Sequence, residues 1–276
     1  MSGQRFYGVD FSSAPSLKKP ITIAIGELHG DVYVMDQVVG VPHFNAFEAF
    51  LAHAGPWTAG FDLPFSLPRA LMAHYHWPMS DWPEFIAWYG QQDRSVLRDQ
   101  FRAFCDGRPS GQKYVYRDTD RPAGSSPAMR WTNPPVAWMA HAGAPRLWRA
   151  GVCVPALTPG ADPPGRVRVA LEAYPGYTAR RVSTRSYKSD TAAKQTVERE
   201  QVRVAIIDAL LHRRAGLSVR LRITPSWRAA MIADGSGDLM DAAICALQAA
   251  HASRLPNYGF PDVVDPLEGW IASVSR

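Results

Sequence analysis

Residues 5–11 read RFYGVDF, and this apolar run, which leads into the carboxylate of Asp10, predicts the first strand of a sheet. Two further β-rich runs follow at residues 20–28 and 32–41, separated by the turn sequence His29-Gly30-Asp31. A short turn of this kind joins antiparallel strands. The start of the chain therefore predicts a three-strand antiparallel meander.

Helices and strands alternate in the remainder of the chain. Asn45 is the predicted cap of a helix at residues 46–54. Asp81 is the predicted cap of a second helical stretch, which extends to about Phe104. This order predicts an α/β fold whose mixed sheet, made of the meander and parallel strands, has helices on both faces. The other predicted elements are strands at 57–62, 166–174 and 217–223, and helices at 136–149, 191–214, 225–233 and 238–253.

The length of 276 residues suits one large domain or two small ones. Residues 106–165 are rich in Gly and Pro, which predicts a long loop-rich insertion within a single domain covering residues 1–276. No apolar run is long enough to span a bilayer. The three scattered cysteines predict reduced thiols in a cytoplasmic protein, without a zinc site. The oligomeric state stays open.

Positive charge is concentrated in the middle of the chain. Residues 108–222 contain 20 Lys and Arg against 8 Asp and Glu, so this region carries +12 while the whole chain carries only +5. A basic region beside acidic residues suits a polyanionic ligand, such as nucleic acid or a phosphorylated metabolite. A solvated basic surface explains the same composition, and both explanations stay open.

Acidic residues stand at the ends of four apolar segments. Carboxylates that converge at one edge of a sheet repel one another unless a cation joins them, so the pattern predicts a Mg²⁺ or Mn²⁺ site. Asp62 also suits a turn in which it bonds backbone amides, and Asp238 suits the N-cap of the last helix. The five predicted metal ligands are Asp10, Asp62, Glu172, Asp238 and Asp241.

These five residues lie in four short motifs. They are Gly8-Val9-Asp10-Phe11-Ser12-Ser13, Phe61-Asp62-Leu63-Pro64-Phe65, Leu171-Glu172-Ala173-Tyr174-Pro175 and Asp238-Leu239-Met240-Asp241-Ala242. In this order they strongly resemble the domain of unknown function 429 family, over about residues 7–271. The resemblance implies a ribonuclease H-like fold and a nuclease related to Holliday-junction resolvases. It also implies carboxylates at the ends of the first and fourth strands and on the last helix.

Hydrolysis of a phosphodiester requires an activated water and a neutralised leaving oxygen, and two divalent ions supply both. The predicted catalytic residues are Asp10, Asp62, Glu172 and Asp241. Asp10 is expected to bridge the ions, with Glu172 and Asp241 each completing the shell of one ion. The predicted substrate is nucleic acid, either DNA or RNA.

Four further residues are candidates for contact with the substrate. Ser12 and Ser13 can donate hydrogen bonds to a phosphate, or belong to an ordinary serine-rich turn. Arg117 can clamp a phosphate and Lys188 can stabilise charge near the scissile group. A solvated loop charge is the alternative for both.

Two other functions compete with the nuclease. An ATP-dependent phosphotransferase of the actin and sugar-kinase superfold shares the opening meander and its aspartate, but it requires a second similar domain and a glycine-rich adenosine site. A non-catalytic nucleic-acid-binding module would retain the fold without turnover, although binding alone does not require the acidic residues.

Overall fold

A computed structural model describes residues 4–158 and 167–275 of the chain. These residues form an α/β fold around one six-stranded mixed sheet, whose strand order is β5-β4-β1-β2-β3-β6. The strands are β1 (Gln4–Asp10), β2 (Ile21–His29), β3 (Val32–Val41), β4 (Trp57–Asp62), β5 (Arg168–Glu172) and β6 (Arg220–Arg222).

The strand pairing confirms the antiparallel meander and the parallel strands beside it. β1 pairs antiparallel with β2, which pairs antiparallel with β3. β4 lies parallel to β1 on its other side, and β5 lies parallel to β4. β6 pairs in parallel with β3. The sheet therefore places the carboxyl ends of β1, β4 and β5 at a common edge.

Ten α-helices surround the sheet in the described ranges, including three short ones that the sequence pattern did not predict. α2, α5 and α7 have six residues or fewer, which is too short for a helical periodicity to show. The helices are α1 (Phe44–Leu51), α2 (Arg69–His74), α3 (Trp82–Tyr89), α4 (Arg94–Asp106), α5 (Asp120–Ala123), α6 (Val136–Arg149), α7 (Pro175–Arg180), α8 (Val197–Leu211), α9 (Pro225–Ala233) and α10 (Asp238–Ala252).

Several element boundaries differ from the predictions. α1 begins at Phe44 after His43, so the prediction of Asn45 as its cap is wrong. Asp81 does cap α3, because its side chain accepts a hydrogen bond from the backbone amide of Glu84. The predicted strand at 166–174 is shorter, and its first residue, Arg166, lies outside the described residues.

The sheet separates two hydrophobic cores, with helices on both of its faces. Val9 and Phe61 pack on one face with residues of α1, α3, α4 and α6. Phe6 and Leu171 pack on the other face with residues of α8 and α10. α6 belongs to the predicted insertion, and its Leu147 is part of the first core. The insertion therefore contributes to the same core as the sheet.

The described helices include none with the length and apolar character required to cross a membrane. Cys105 and Cys245 are buried free thiols. The cytoplasmic location stays a prediction.

Candidate metal centre

Two glycines allow α10 to lie directly on the backbone of the central strands. Gly8 of β1 is paired with Gly60 of β4. A Cβ atom at Gly8 would lie 1.9 Å from the carbonyl oxygen of Ala242, and one at Gly60 would lie 2.3 Å from that of Cys245. Any side chain at either position would push the helix away. The glycine pair therefore determines how closely the N-terminal half of α10 approaches the sheet.

Three aspartates meet at the end of this contact. Asp10 and Asp62 are paired in the β1–β4 register, two residues beyond the glycines and so on the same face of the sheet. Asp241 lies in the first turn of α10, fully buried. One carboxylate oxygen from each residue lies within 4.8 Å of the others. This carboxylate triad, Asp10, Asp62 and Asp241, can hold a metal ion.

The triad carries more negative charge than its surroundings neutralise. Burial raises the pKa of Asp10 well above its usual range, and the charges of Asp241 and Asp62 raise it further. Burial also raises the pKa of Asp62 to about 7, although the nearby Lys188 opposes the change. Crowded carboxylates that resist ionisation are stabilised by a divalent cation, whose charge favours their ionised form.

Lys188 and Tyr187 both contact the carboxylate of Asp241. The hydroxyl of Tyr187 donates to Oδ1 at 2.5 Å, and Nζ of Lys188 donates to Oδ2. Burial lowers the pKa of Lys188, but the charges of Asp241, Tyr187, Asp10 and Asp62 together outweigh burial, and the pKa is raised well above its usual value. Lys188 is therefore a protonated counter-ion for the triad.

Comparison of the chain with protein-family models, curated proteins and solved structures finds no match. The family resemblance stays a prediction. The chemistry of the triad and of the cleft around it must therefore support any functional assignment.

A cleft of about 480 Å³ opens beside the triad. Its lining combines carboxylates, hydroxyls and ammonium groups, which suits a phosphate-containing ligand that also contacts a cation. Both predicted serines lie at this cleft, as does Lys188. The polar lining includes Asp10, Asp62, Ser12, Ser13, Lys19 and Lys188.

Asp238 lines the cleft but is outside the triad. Its carboxylate pairs with Nζ of Lys19 at 2.8 Å, and Lys19 also contacts Asp190 at 2.8 Å. The N-cap prediction for Asp238 is wrong, because Gly237 occupies that position with a φ of 80°. Asp234 instead caps the helix by accepting a hydrogen bond from the amide of Leu239 at 2.9 Å.

Glu172 also lies at the cleft, but the structure does not bring it into the triad. It is paired with Phe61 in the β4–β5 register, so its side chain points to the opposite face from that of Asp62. Its Oε2 accepts a hydrogen bond from the amide of Phe65 at 2.9 Å. Both carboxylate oxygens accept from Arg117, at 2.6 and 2.8 Å. Glu172 is therefore committed to an internal ion pair.

Arg117 is buried, with 2% of its surface exposed, and the expectation of a solvated loop charge is wrong. Its guanidinium binds Asp120 at 2.8 Å in addition to Glu172, and it donates to the backbone carbonyl of Glu268 at 3.3 Å. These contacts occupy the fork that would clamp a phosphate. Arg117 instead fastens the insertion to the end of β5.

Sequence reasoning missed Lys19, Asp190 and Tyr187 as residues of this site. Lys19 and Asp238 are 219 residues apart in the chain, and neither belongs to a motif that indicates the other. Tyr187 stands beside the predicted Lys188, but its hydrogen bond to Asp241 depends on the packing of α10.

Proposed function

We propose that this chain is a metal-dependent nuclease of ribonuclease H-like fold, which hydrolyses phosphodiester bonds of nucleic acid. The observation that carries the proposal is the convergence of Asp10, Asp62 and Asp241 within 4.8 Å, beside a cleft that Asp10 and Asp62 line. The strand order supports the fold, because β1, the first strand of the meander, also pairs with the parallel strand β4 on its other side. The resemblance implied carboxylates on the first strand, the fourth strand and the last helix. The triad consists of Asp10 on β1, Asp62 on β4 and Asp241 on α10.

The donor set fits Mg²⁺ or Mn²⁺. Three carboxylates from two rigid strands and a helix offer hard oxygen ligands, which both ions prefer. When bound, such an ion polarises a phosphoryl oxygen and lowers the pKa of a coordinated water. Tyr187 orients the carboxylate of Asp241 through its hydrogen bond.

The two lysines at the cleft supply positive charge for the substrate. Nζ of Lys188 lies at the triad, and Nζ of Lys19 lies between Asp190 and Asp238. Ammonium groups in such positions stabilise charge that develops on phosphate oxygens. Ser12 and Ser13 line the same cleft and can donate hydrogen bonds to a phosphate.

A two-ion mechanism requires a carboxylate beyond the triad. Asp238 is the candidate, because it lines the cleft and its charge adds to burial in raising the pKa of Asp10. Titration calorimetry with Mn²⁺ measures the number of ions. Two sites in the parent chain and one in Asp238→Asn would support the two-ion form, and no binding at millimolar Mn²⁺ would refute the metal site.

The function is tested with Asp10→Asn, assayed on labelled single-stranded, duplex and junction substrates in Mg²⁺ or Mn²⁺. Cleavage should fall by about a hundredfold or more, because several kcal/mol of metal-derived stabilisation are lost. The thermal melt should be unchanged or raised, since repulsion within the triad is relieved. Asp36→Asn is the matched control, because Asp36 is exposed on β3 outside the cleft.

Three outcomes would redirect the assignment. Equal cleavage by the parent and Asp10→Asn would show that the activity does not belong to the triad. ATP turnover without cleavage of nucleic acid would favour the phosphotransferase. Binding of nucleic acid without any turnover would favour the binding module.

A further inference from the structure

A second cavity, of about 510 Å³, lies within the insertion between α4 and α5. Its walls combine three cationic side chains with two tyrosines. We call it the basic aromatic pocket and define it by Arg108, Lys113, Tyr114, Tyr116 and Arg121.

The charge of this pocket favours an anion. Among the described residues that line it, three are Lys or Arg and none is Asp or Glu. Lys113 and Arg121 are exposed, so both can contact a ligand in solvent. The pocket belongs to the region of residues 108–222, whose net charge is +12. Phosphate groups are the anions that such a cluster attracts most strongly.

The aromatic side chains are held in defined positions beside these cations. The guanidinium of Arg121 lies 4.2 Å from the ring centroid of Tyr116. The ring of Tyr114 packs against Trp131 at a centroid distance of 6.1 Å. Arg108 donates to the carbonyl of Gln112 at 2.7 Å. Rings beside cations offer stacking surfaces for bases and charges for phosphates.

The same segment of chain contributes to the pocket and to the carboxylate cleft, although the two cavities share no lining residue. Tyr116 lines the pocket, and the next residue, Arg117, lines the cleft. The buried ion pairs of Arg117 with Glu172 and Asp120 hold this segment in place. A second link runs from Trp131, which packs on Tyr114, to Pro134 at the wall of the cleft.

We infer that the basic aromatic pocket binds a single-stranded segment of nucleic acid, with unpaired bases on the tyrosines and phosphates at Arg108, Lys113 and Arg121. Bases paired in a duplex stack on one another and do not present their faces to protein rings, so the tyrosines favour unpaired bases. The inference rests on the proposed function only in identifying this segment as part of the strand that is cleaved.

The charge contribution is tested with the double variant Lys113→Gln, Arg121→Gln. Its matched control is Arg220→Gln, Arg222→Gln, which removes the same charge from exposed positions on the edge strand β6. Fluorescence anisotropy measures the affinity for a labelled single-stranded 15-mer in EDTA over a series of salt concentrations. The negative slope of log K against log salt should become shallower by about 1.4 for the pocket variant. Each contacted phosphate of a single strand contributes about 0.7 to this slope, and the variant removes two contacts. The control should retain the parent slope, and equal slopes for all three proteins would overturn the inference.

The stacking contribution is tested by Tyr116→Leu with Tyr116→Phe as its control. Leucine retains bulk but removes the ring, so the affinity for the single strand should fall about five- to a hundredfold. Phenylalanine retains the ring and should preserve affinity. An unaffected Tyr116→Leu, or a duplex of equal length that binds as tightly as the single strand, would show that the surface binds phosphate without selecting unpaired bases, and would contradict the inference.

These measurements separate the pocket from the metal chemistry, because EDTA removes the ions. Pocket-dependent binding in EDTA without cleavage in Mg²⁺ or Mn²⁺ would reject the nuclease and retain the pocket. Metal-dependent cleavage with no effect of the pocket variants would reject the pocket and retain the nuclease.

Discussion

At Asp241, a lysine and a tyrosine occupy the carboxylate that the proposed metal ion requires. Lys188 supplies the positive charge on one oxygen, and the Tyr187 hydroxyl satisfies the other. A metal ion at the triad therefore competes with an internal cation. The affinity of the site for metal reflects this competition as well as the three carboxylates.

Replacement of the lysine, Lys188→Met, should raise the affinity for Mn²⁺ by about tenfold or more. Two unit charges about 4 Å apart at a partly solvated site interact by up to roughly 4 kcal/mol, so loss of the competing charge outweighs small rearrangements. Titration calorimetry measures the effect, with Lys194→Met as an exposed control of the same charge. Equal or weaker binding by Lys188→Met would show that Lys188 does not compete with the ion.

Arg117 should be important for stability. Arg117→Met leaves Glu172 and Asp120 buried without their counter-ion, which should lower the free energy of unfolding by about 3–5 kcal/mol. Urea denaturation measures this loss. The triple variant Arg117→Met, Glu172→Gln, Asp120→Asn removes the stranded charges and should recover part of the stability. A single variant as stable as the parent would mean that the buried ion pairs contribute nothing net.

At the scale of elements, the contact between α10 and the strands β1 and β4 determines whether the triad forms. Asp10 and Asp62 are adjacent because the two strands are in parallel register. Asp241 joins them only because Gly8 and Gly60 leave room for the helix backbone. The site is thus a consequence of helix-on-sheet packing, and it should respond to changes that leave every aspartate in place.

Gly8→Ala should displace α10 and weaken metal binding. The added Cβ would lie 1.9 Å from the carbonyl oxygen of Ala242 and 2.2 Å from the amide nitrogen of Ala246, and neither backbone atom can move alone. Overpacking of this kind costs about 1–3 kcal/mol or more. Urea denaturation and Mn²⁺ titration should both detect the change. In Gly107→Ala the added Cβ is 3.5 Å from its nearest neighbour, so that variant should match the parent in both measurements.

At the scale of the whole molecule, the raised pKa values of the triad link stability to pH. The folded protein holds the proton of Asp62 up to a pKa of about 7, whereas an aspartate in the unfolded chain titrates near pH 4. The folded state therefore binds more protons between these values, and in EDTA the free energy of unfolding should fall as pH rises from about 4 to about 7. Asp10 and Asp241, whose pKa values are also raised, act in the same direction.

Mg²⁺ should reverse this loss, because a bound cation favours the ionised carboxylates. The rise in melting temperature on adding millimolar Mg²⁺ should be larger at pH 8 than at pH 5, as measured by thermal denaturation. Asp62→Asn should flatten the profile in EDTA. A rise in melting temperature on adding Mg²⁺ that is the same at pH 5 and pH 8 would show that Mg²⁺ acts away from the triad.

Strands β1 to β5 could be predicted because each is a largely apolar run that ends near a turn or a proline. β4 at Trp57–Asp62, α6 and α9 have the predicted limits, since their patterns end at clear boundaries. The pattern did not indicate which residues of neighbouring strands share a face of the sheet. Glu172 follows an apolar run as Asp62 does, yet it is paired with Phe61 and faces the other side. A shift of one residue reverses the face, and only the strand register determines that shift.

The amino-acid sequence by itself determined the mixed α/β sheet and the aspartates at the ends of β1, β4 and α10, because these depend on local hydrophobic patterns and on residues adjacent to them. The tertiary structure alone decided which carboxylates meet. The strand register placed Asp62 beside Asp10, and the glycine pair allows Asp241 to approach them. Glu172 instead forms a buried ion pair with Arg117. Each of these outcomes depends on contacts between residues distant in the chain, which no local pattern encodes.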